Sequence, residues 1–308
     1  MKCFLKILAI LFVIAVVLNA IYIRHFAPEF FTQPRPSPLN IHAVVVAIGR
    51  DASGRDCLIA YDCHSASFAV GKYTFEQRNA LHFGFWDNEE ISSLLSDEKR
   101  SRQIYIDSGK YPWSGFAWHS HDLYTISILK KRLLVNCYGM DGKRKNSVNI
   151  KTNETIESYS SWPVFQATNK WIIVPSWDND KLYMFDWTGK LIRILKDAGN
   201  PQLSPDGRYM AYIKYEPYGV IHICDLKNMR VSRVLKFGFE PSGYRFAPDG
   251  NSIILLENIR ATAICYDRAY AVDLRESHPE PHKLPITTRA GMWAVLDKIP
   301  QSFTPKRN

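Results

Sequence analysis

The sequence predicts an all-β chain, a β-propeller of six blades (seven is also compatible), preceded by an N-terminal transmembrane helix. Three observations predict it. First, Leu203-Ser204-Pro205-Asp206-Gly207-Arg208-Tyr209-Met210-Ala211-Tyr212-Ile213 returns 43 residues later as Phe246-Ala247-Pro248-Asp249-Gly250-Asn251-Ser252-Ile253-Ile254-Leu255-Leu256. Each copy is an apolar residue, a Pro-Asp-Gly turn and a β run, and a repeat of that period and chemistry is the mark of a propeller. Second, another strand and polar turn follow each copy, as in Ile221-His222-Ile223-Cys224-Asp225 and Ala269-Tyr270-Ala271-Val272-Asp273. Third, residues 7–23 form an uncharged, largely apolar stretch.

That stretch is the first element. Lys2 and Lys6 precede it, and Arg24 and His25 follow. With Cys3, Phe4 and Leu5 it reaches the roughly 17–25 residues that span a bilayer as a helix. A cleaved secretory signal is the rival, but its apolar core is shorter and ends in small residues three and one before the cut. Here Leu18 stands two before Ala20, and Leu is too large for that position. The favoured reading is an uncleaved signal anchor over residues 1–26. Either reading sends the rest of the chain across the membrane. The expected location is the cell membrane, single-pass, with the folded part extracytoplasmic, periplasmic in a Gram-negative cell. Positive charge flanks both ends of the segment, so the charge rule sets its orientation only weakly. Residues 27–40 follow, with four prolines that exclude helix and sheet. Such a segment tends to polyproline II at about 3.1 Å per residue, a stalk of up to about 40 Å.

The propeller is expected over residues 41–300. Taking the apolar residue before each turn as a register mark, Trp118 (before His119-Ser120-His121-Asp122) and Phe165 (before Gln166-Ala167-Thr168-Asn169) align with Leu203 and Phe246. Weaker marks fall at Phe85 and Arg50. The six marks are spaced 35, 33, 47, 38 and 43 residues apart. The second motif recurs as Val135 to Lys143, Leu182 to Lys190, Ile221 to Asn228 and Ala269 to Leu274. The implied unit is a four-stranded antiparallel blade. Its turn chemistry is physical: proline presets φ, Asp accepts local backbone hydrogen bonds, and Gly adopts the positive φ the hairpin needs. Near-continuous apolar runs such as Ile253-Ile254-Leu255-Leu256 fit strands covered on both faces. Trp293-Ala294-Val295-Leu296 is a candidate strand to close the ring against the first blade, and residues 301–308 read as a basic tail.

The Ser-Pro-Asp-Gly turn followed by a short apolar strand resembles the TolB-type propeller repeats of bacterial envelope proteins, and also those of prolyl-oligopeptidase-like proteins. The resemblance covers roughly residues 110–290 and concerns the fold. It implies other envelope proteins or peptidoglycan-associated components as partners.

Composition is ordinary for a globular protein, with 46% apolar and 22% charged residues among 308. Aromatics are frequent (8 Trp, 16 Tyr, 16 Phe), as flat half-buried β surfaces favour. The net charge of +9 suggests a polyanion partner or simply a basic surface. The basic residues form short scattered clusters, including Lys130-Lys131-Arg132 and Lys143-Arg144-Lys145, and no nucleic-acid-binding motif accompanies them. A basic surface without nucleic acid is the preferred reading. Six widely spaced cysteines do not form a disulfide framework; buried core positions suit most of them, although Cys57 and Cys63 could close a hairpin.

Candidate chemistry is sparse. His119 and His121 at alternate positions, beside Asp122, have the spacing to hold a metal, with His64 and His82 as further ligands by chemistry alone. The repeat places them in a turn instead. Asp178-Asn179-Asp180 resembles an oxygen-rich calcium loop but lacks its Gly and distal Glu, so a polar turn is preferred. There is no Gly-x-Ser-x-Gly elbow, His-Glu-x-x-His pair or phosphate loop. No catalytic, cofactor-binding or metal residue is therefore assigned. The expected function is a membrane-anchored recognition module for an envelope protein or glycan. The alternative is a propeller-type enzyme, a metal-assisted hydrolase or lactonase, with its site in the central channel.

Overall fold

The computed structural model describes residues 37–50, 56–71, 114–119, 122–129, 131–153, 156, 165–176, 180–215, 219–259, 266–289, 293–300 and 303–305. The described chain is all-β. The first sheet begins with β1 (Val44–Arg50), β2 (Asp56–Asp62) and β3 (Ser67–Gly71). The second is β4 (Ser114–His119), β5 (Asp122–Leu129), β6 (Arg132–Gly139) and β7 (Arg144–Lys151). The third is β8 (Gln166–Ala167), β9 (Ile172–Ser176), β10 (Lys181–Phe185) and β11 (Leu191–Lys196). The fourth is β12 (Ala198–Leu203), β13 (Tyr209–Lys214), β14 (Val220–Asp225) and β15 (Arg230–Lys236). The fifth is β16 (Pro241–Phe246), β17 (Ser252–Ile259), β18 (Tyr266–Asp273) and β19 (His282–Arg289). The last strands, β20 (Trp293–Leu296) and β21 (Thr304–Pro305), return to the first sheet. The second to fifth sheets are antiparallel meanders with their strands in chain order.

Turn chemistry sets these hairpins. In the fourth sheet the Gly207 amide donates to the Ser204 carbonyl at 2.8 Å, with Gly207 at φ 66°. The Asp206 carboxylate accepts the Arg208 amide at 3.0 Å and the Ser204 hydroxyl at 2.6 Å. The fifth sheet repeats it: the Gly250 amide donates to the Ala247 carbonyl at 2.9 Å, Gly250 has φ 68°, and Asp249 accepts the Asn251 amide. The turn between third and fourth strands has its own signature. An aspartate at or just past the end of the third strand accepts the amide two residues on: Asp186 from Thr188, Asp225 from Lys227 and Asp273 from Arg275. Asp62 does the same for His64.

Asp62 corrects the register of the first sheet. Its turn joins a third to a fourth strand, so β1 and β2 are second and third strands of their sheet. The mark at Arg50 implies a turn after a first strand; Arg50 is instead the last residue of β1, a second strand, and pairs with Asp56 of β2. The first-strand position is taken by β20, from the far end of the chain. Val44 pairs with Leu296, Val45 with Val295, Val46 with Ala294 and Ala47 with Trp293. The candidate closing strand thus joins the first sheet as an added edge. That sheet also extends past the expected boundary at residue 300. Thr304 pairs with Val70, and Phe303 is buried so closely on Gly71 that a Cβ there would lie 2.7 Å from its ring. At the other boundary, the Leu39 amide donates to the Cys63 carbonyl at 2.9 Å, so the end of the Pro-rich segment is packed on the domain.

The hairpin lengths also differ from the ungapped alignment. In the fourth and fifth sheets the pairs closing the first turn, Leu203 with Met210 and Phe246 with Ile253, are seven residues apart. In the second sheet His119 pairs with Asp122, and in the third Ala167 pairs with Ile172. Those turns are shorter because they lack the Pro-Asp-Gly insertion. The blade marked by Phe85, the segment 7–23, His82, His121 and Asp178 lie outside the described residues. Among the described residues no helix is long and apolar enough to cross a membrane.

The central residues of the middle strands are buried on both faces. One buried apolar cluster joins the second and third sheets through Ile126, Val135, Ile172 and Tyr183. Another joins the third and fourth through Ile173, Met184, Met210 and Cys224. A third joins the fourth and fifth through Ala211, Ile223, Ile253 and Leu255. A fourth joins the fifth and first through Val45, Tyr61, Ile254 and Val295. Burial is worth about 1.5–3 kcal/mol per large aliphatic side chain, so these interfaces hold the sheets together. Cys57, Cys63, Cys137 and Cys224 are buried thiols at core positions, and none is in a disulfide. Burial pushes the Cys63 thiol up to about 12, so it is unreactive at neutral pH.

A repeated polar staple reinforces the packing. Arg193 on β11 donates to the Met229 carbonyl in the turn of the fourth sheet. Forty residues on, Arg233 on β15 donates at 2.8 Å to the Glu276 carbonyl in the equivalent turn of the fifth. Truncating either arginine to Ala should cost about 1 kcal/mol in urea unfolding. Val295→Asp is a sterner case, because it sets a carboxylate at a side chain only 4% exposed, in the strand that joins the two ends of the chain. Its expected cost is at least about 3 kcal/mol, with loss of a single cooperative transition. A Val295→Asp protein as stable as the wild type would show that this strand carries no load.

Candidate functional site

The first hairpin turns of successive sheets come together at one end of the strands. His119 closes the β4–β5 turn, Thr168 the β8–β9 turn, and Asp206 and Gly207 occupy the β12–β13 turn. A Cβ built on Gly207 would lie 2.7 Å from His119 Nε2 and 3.4 Å from Thr168 Cγ2. The imidazole therefore rests directly on the Gly207 backbone, across the short turn of the intervening sheet. Glycine is required twice over here, for its positive φ and for the space it leaves to the ring. Pro205 extends the row, since its Cδ would lie 3.8 Å from a Cβ on Gly250 in the fifth sheet.

Each member is held from behind. Thr168 Oγ1 accepts the amides of Lys170 and Trp171, both at 3.1 Å, and its carbonyl accepts the Trp187 indole at 2.8 Å. Trp187 in turn packs on Tyr124, with ring centroids 6.0 Å apart. Ser204 ties its hydroxyl to both Asp206 and the Tyr209 amide. Asp122 binds Lys145 Nζ at 2.5 Å. Burial holds the His119 imidazole below its ordinary value, while the Asp206 and Asp122 charges pull the other way. Asp206 is itself held below the ordinary carboxylate value: burial opposes this, but the Ser204 hydroxyl and the Arg208 amide outweigh it. The result is a neutral, half-buried imidazole beside an ionised carboxylate on a rigid backbone, which accepts and donates hydrogen bonds without rearrangement.

A second polar cluster lies at the opposite end of β12 and β13. Tyr215 packs over Gly199, and the buried Tyr244 hydroxyl donates to the Asn200 carbonyl. Burial raises both phenols. Asp180, Asp197 and Asn200 have φ of 46°, 51° and 50°, left-handed backbone that is rare outside glycine.

The remaining sequence candidates are dispersed. His64 stacks on His42 with centroids 4.3 Å apart, in the turn after β2. Asp180 is exposed, and its carbonyl accepts the Ala198 amide at 2.8 Å. Among the described residues no group of three or more His, Cys, Asp or Glu could hold a metal. Sequence reasoning noticed His119 but missed its partners Thr168, Asp206 and Gly207. The signal was present in the shared turn register; the shorter β4–β5 turn, which sets His119 across its neighbour, was not.

No family model matches the chain. No curated protein matches it either. Solved structures do. TolB from Acinetobacter baumannii is 15% identical, with a TM-score of 0.39, covering 79% of this chain and 53% of that one. KlHsv2 with loop 6CD replaced by a Gly-Ser linker is 11% identical, with a TM-score of 0.40, covering 77% and 64%. Kuenenia stuttgartiensis hydrazine synthase is 14% identical, with a TM-score of 0.39, covering 53% and 46%. The likeness is one of fold. The chain spans about half to two thirds of the length of these proteins.

Two consequences are measurable. Gly207→Ala should destabilise by about 1 kcal/mol more than Gly250→Ala. Both residues have positive φ, but only at Gly207 does the new methyl strike His119. Equal losses in chemical unfolding would refute the contact. The pH dependence follows from the histidines. His119 and His222 are both held below 6.5 by burial, with Lys214 adding to the effect at His222. The unfolded chain binds their protons first, so stability is full above pH 6.5 and falls as pH drops through that value toward the folded pKa. Melting temperature should decline between pH 7.5 and 5.5, and more shallowly in His119→Gln; an unchanged slope in that variant would exclude His119 as a source.

Proposed function

We propose that the protein is a membrane-tethered, extracytoplasmic β-propeller that recognises an envelope protein or glycan through the rim of first hairpin turns around His119 and Gly207. The observation that carries this reading is the meeting of three sheets' turns at His119, Thr168 and Gly207. Rigid backbone at such a rim loses little entropy on binding, and this preorganisation favours recognition. The rim offers varied exposed chemistry: Asn169, Lys170, Pro205, Asp206 and Arg208. The sequence segment 7–23 supports the tether, and the sequential sheets joined end to end by β20 support the propeller. TolB-like repeat turns point to the envelope.

The test is a photo-crosslinking side chain placed at Lys170 or Arg208 in intact cells, with Lys131, in the turn at the opposite end of β5 and β6, as the control. The expected result is one envelope component captured from both rim positions and not from Lys131. Identical products from all three positions, or none from the rim, would overturn the proposal.

A further inference from the structure

The outer wall of the molecule is built from the fourth strands of the sheets. β7, β11, β15 and β19 carry ten Lys or Arg residues between them and no Asp or Glu. Sequence alone shows scattered clusters, because these strands lie about 40 residues apart; the fold sets them side by side. Lysine on an exposed edge also discourages strand pairing between molecules. Edge protection does not explain a second feature. The large apolar side chains that stand exposed among the described residues are Leu191, Ile192, Ile194, Val231 and Val234, each 37–47% exposed. All five lie on β11 and β15, the outer strands of two neighbouring sheets, and none on β7.

These two strands present aliphatic side chains among cations. Arg193, Lys196, Arg230, Arg233 and Lys236 lie on them, and Lys190 and Lys227 flank them. Three of the nearby carboxylates are engaged elsewhere. Asp186 is bound by the amides and hydroxyl of its own turn, Asp197 lies 3.5 Å from Lys214, and Asp225 lies 3.4 Å from Arg208. A second copy pairing edge to edge would set cation against cation. A surface that is anionic at its face and apolar just beneath fits both features.

The path of the chain singles out the same wall. Arg275 donates to the Asn40 carbonyl, at the end of the Pro-rich segment. The next residue, Glu276, accepts Arg233 of β15 through its carbonyl. The stalk therefore joins the domain one residue from the wall.

We infer that the β11–β15 wall docks edge-on against anionic phospholipid headgroups of the bilayer to which the chain is tethered. Cations meet the phosphates while Ile194, Val234 and their neighbours enter the headgroup boundary. The inference rests on the proposed tether, since the stalk brings the wall to that surface. Docking by this edge leaves the rim of hairpin turns, at the ends of the strands, open to a partner.

The test uses the full chain in lipid nanodiscs, either purely zwitterionic or one-third anionic, followed by amide hydrogen exchange. Retention in zwitterionic discs reports the tether independently of the wall. On anionic discs, exchange across Leu191–Lys196 and Arg230–Lys236 should slow about five-fold or more, and 0.5 M salt should weaken the effect. β7, cationic but without exposed aliphatics, should change little. Ile194→Asp combined with Val234→Asp should abolish the protection while leaving retention intact. Equal exchange on both lipids, equal protection of β7, or the same protection by soluble inorganic polyphosphate would overturn the inference. If the chain is not retained in zwitterionic discs, the tether reading fails; flotation of the chain with anionic vesicles, lost in the double variant, then decides whether the wall still binds lipid.

Discussion

Burial on both faces of the middle strands is the constraint on which the rest of this structure depends. A strand such as Ile253–Leu256 cannot leave either face to water, so each sheet requires a neighbour on both sides. Four apolar clusters, each shared by two successive sheets, meet that requirement from the second sheet round to the first. The same constraint recruits β20. The first sheet would expose the edge and faces of β1 without it, and the pairing of Val44–Ala47 with Trp293–Leu296 joins the ends of the domain.

With the sheets fixed by packing, their turns become rigid by consequence. Aspartates that accept backbone amides and glycines with positive φ leave the hairpins little freedom. Their ends lie at a common level because the sheets repeat, and His119 can therefore rest on a glycine two sheets away. A rigid rim of unlike side chains is suited to recognition. The arginine staples act at the outer margin, where apolar packing thins and a cross-sheet hydrogen bond still adds stability.

Charge follows the same geometry. Fourth strands face solvent by position, and many of their exposed sites carry lysine or arginine. Ten of the 39 lysines and arginines thus fall on β7, β11, β15 and β19, which carry no Asp or Glu. The two proposed roles divide accordingly: turns at the strand ends for a partner, and a cationic, partly aliphatic edge for a lipid surface.

The sequence by itself determined the all-β character, the four-stranded unit and the identity of both turn types, because Pro-Asp-Gly and strand-terminal Asp act through bonds within a few residues. Trp293–Leu296 was legible as a closing strand from its apolar run. The frame of the first sheet was misread, although Ala60-Tyr61-Asp62 carries the same signal as Met184-Phe185-Asp186 and Ala271-Val272-Asp273. Its missing first strand comes from over 240 residues away, and no local pattern announces such a partner. Tertiary structure alone decided that His119 lies on Gly207, that Arg193 and Arg233 are equivalent staples, and that the exposed aliphatics share one wall. These are contacts between sheets, fixed by turn length and by the stacking of side chains far apart in sequence.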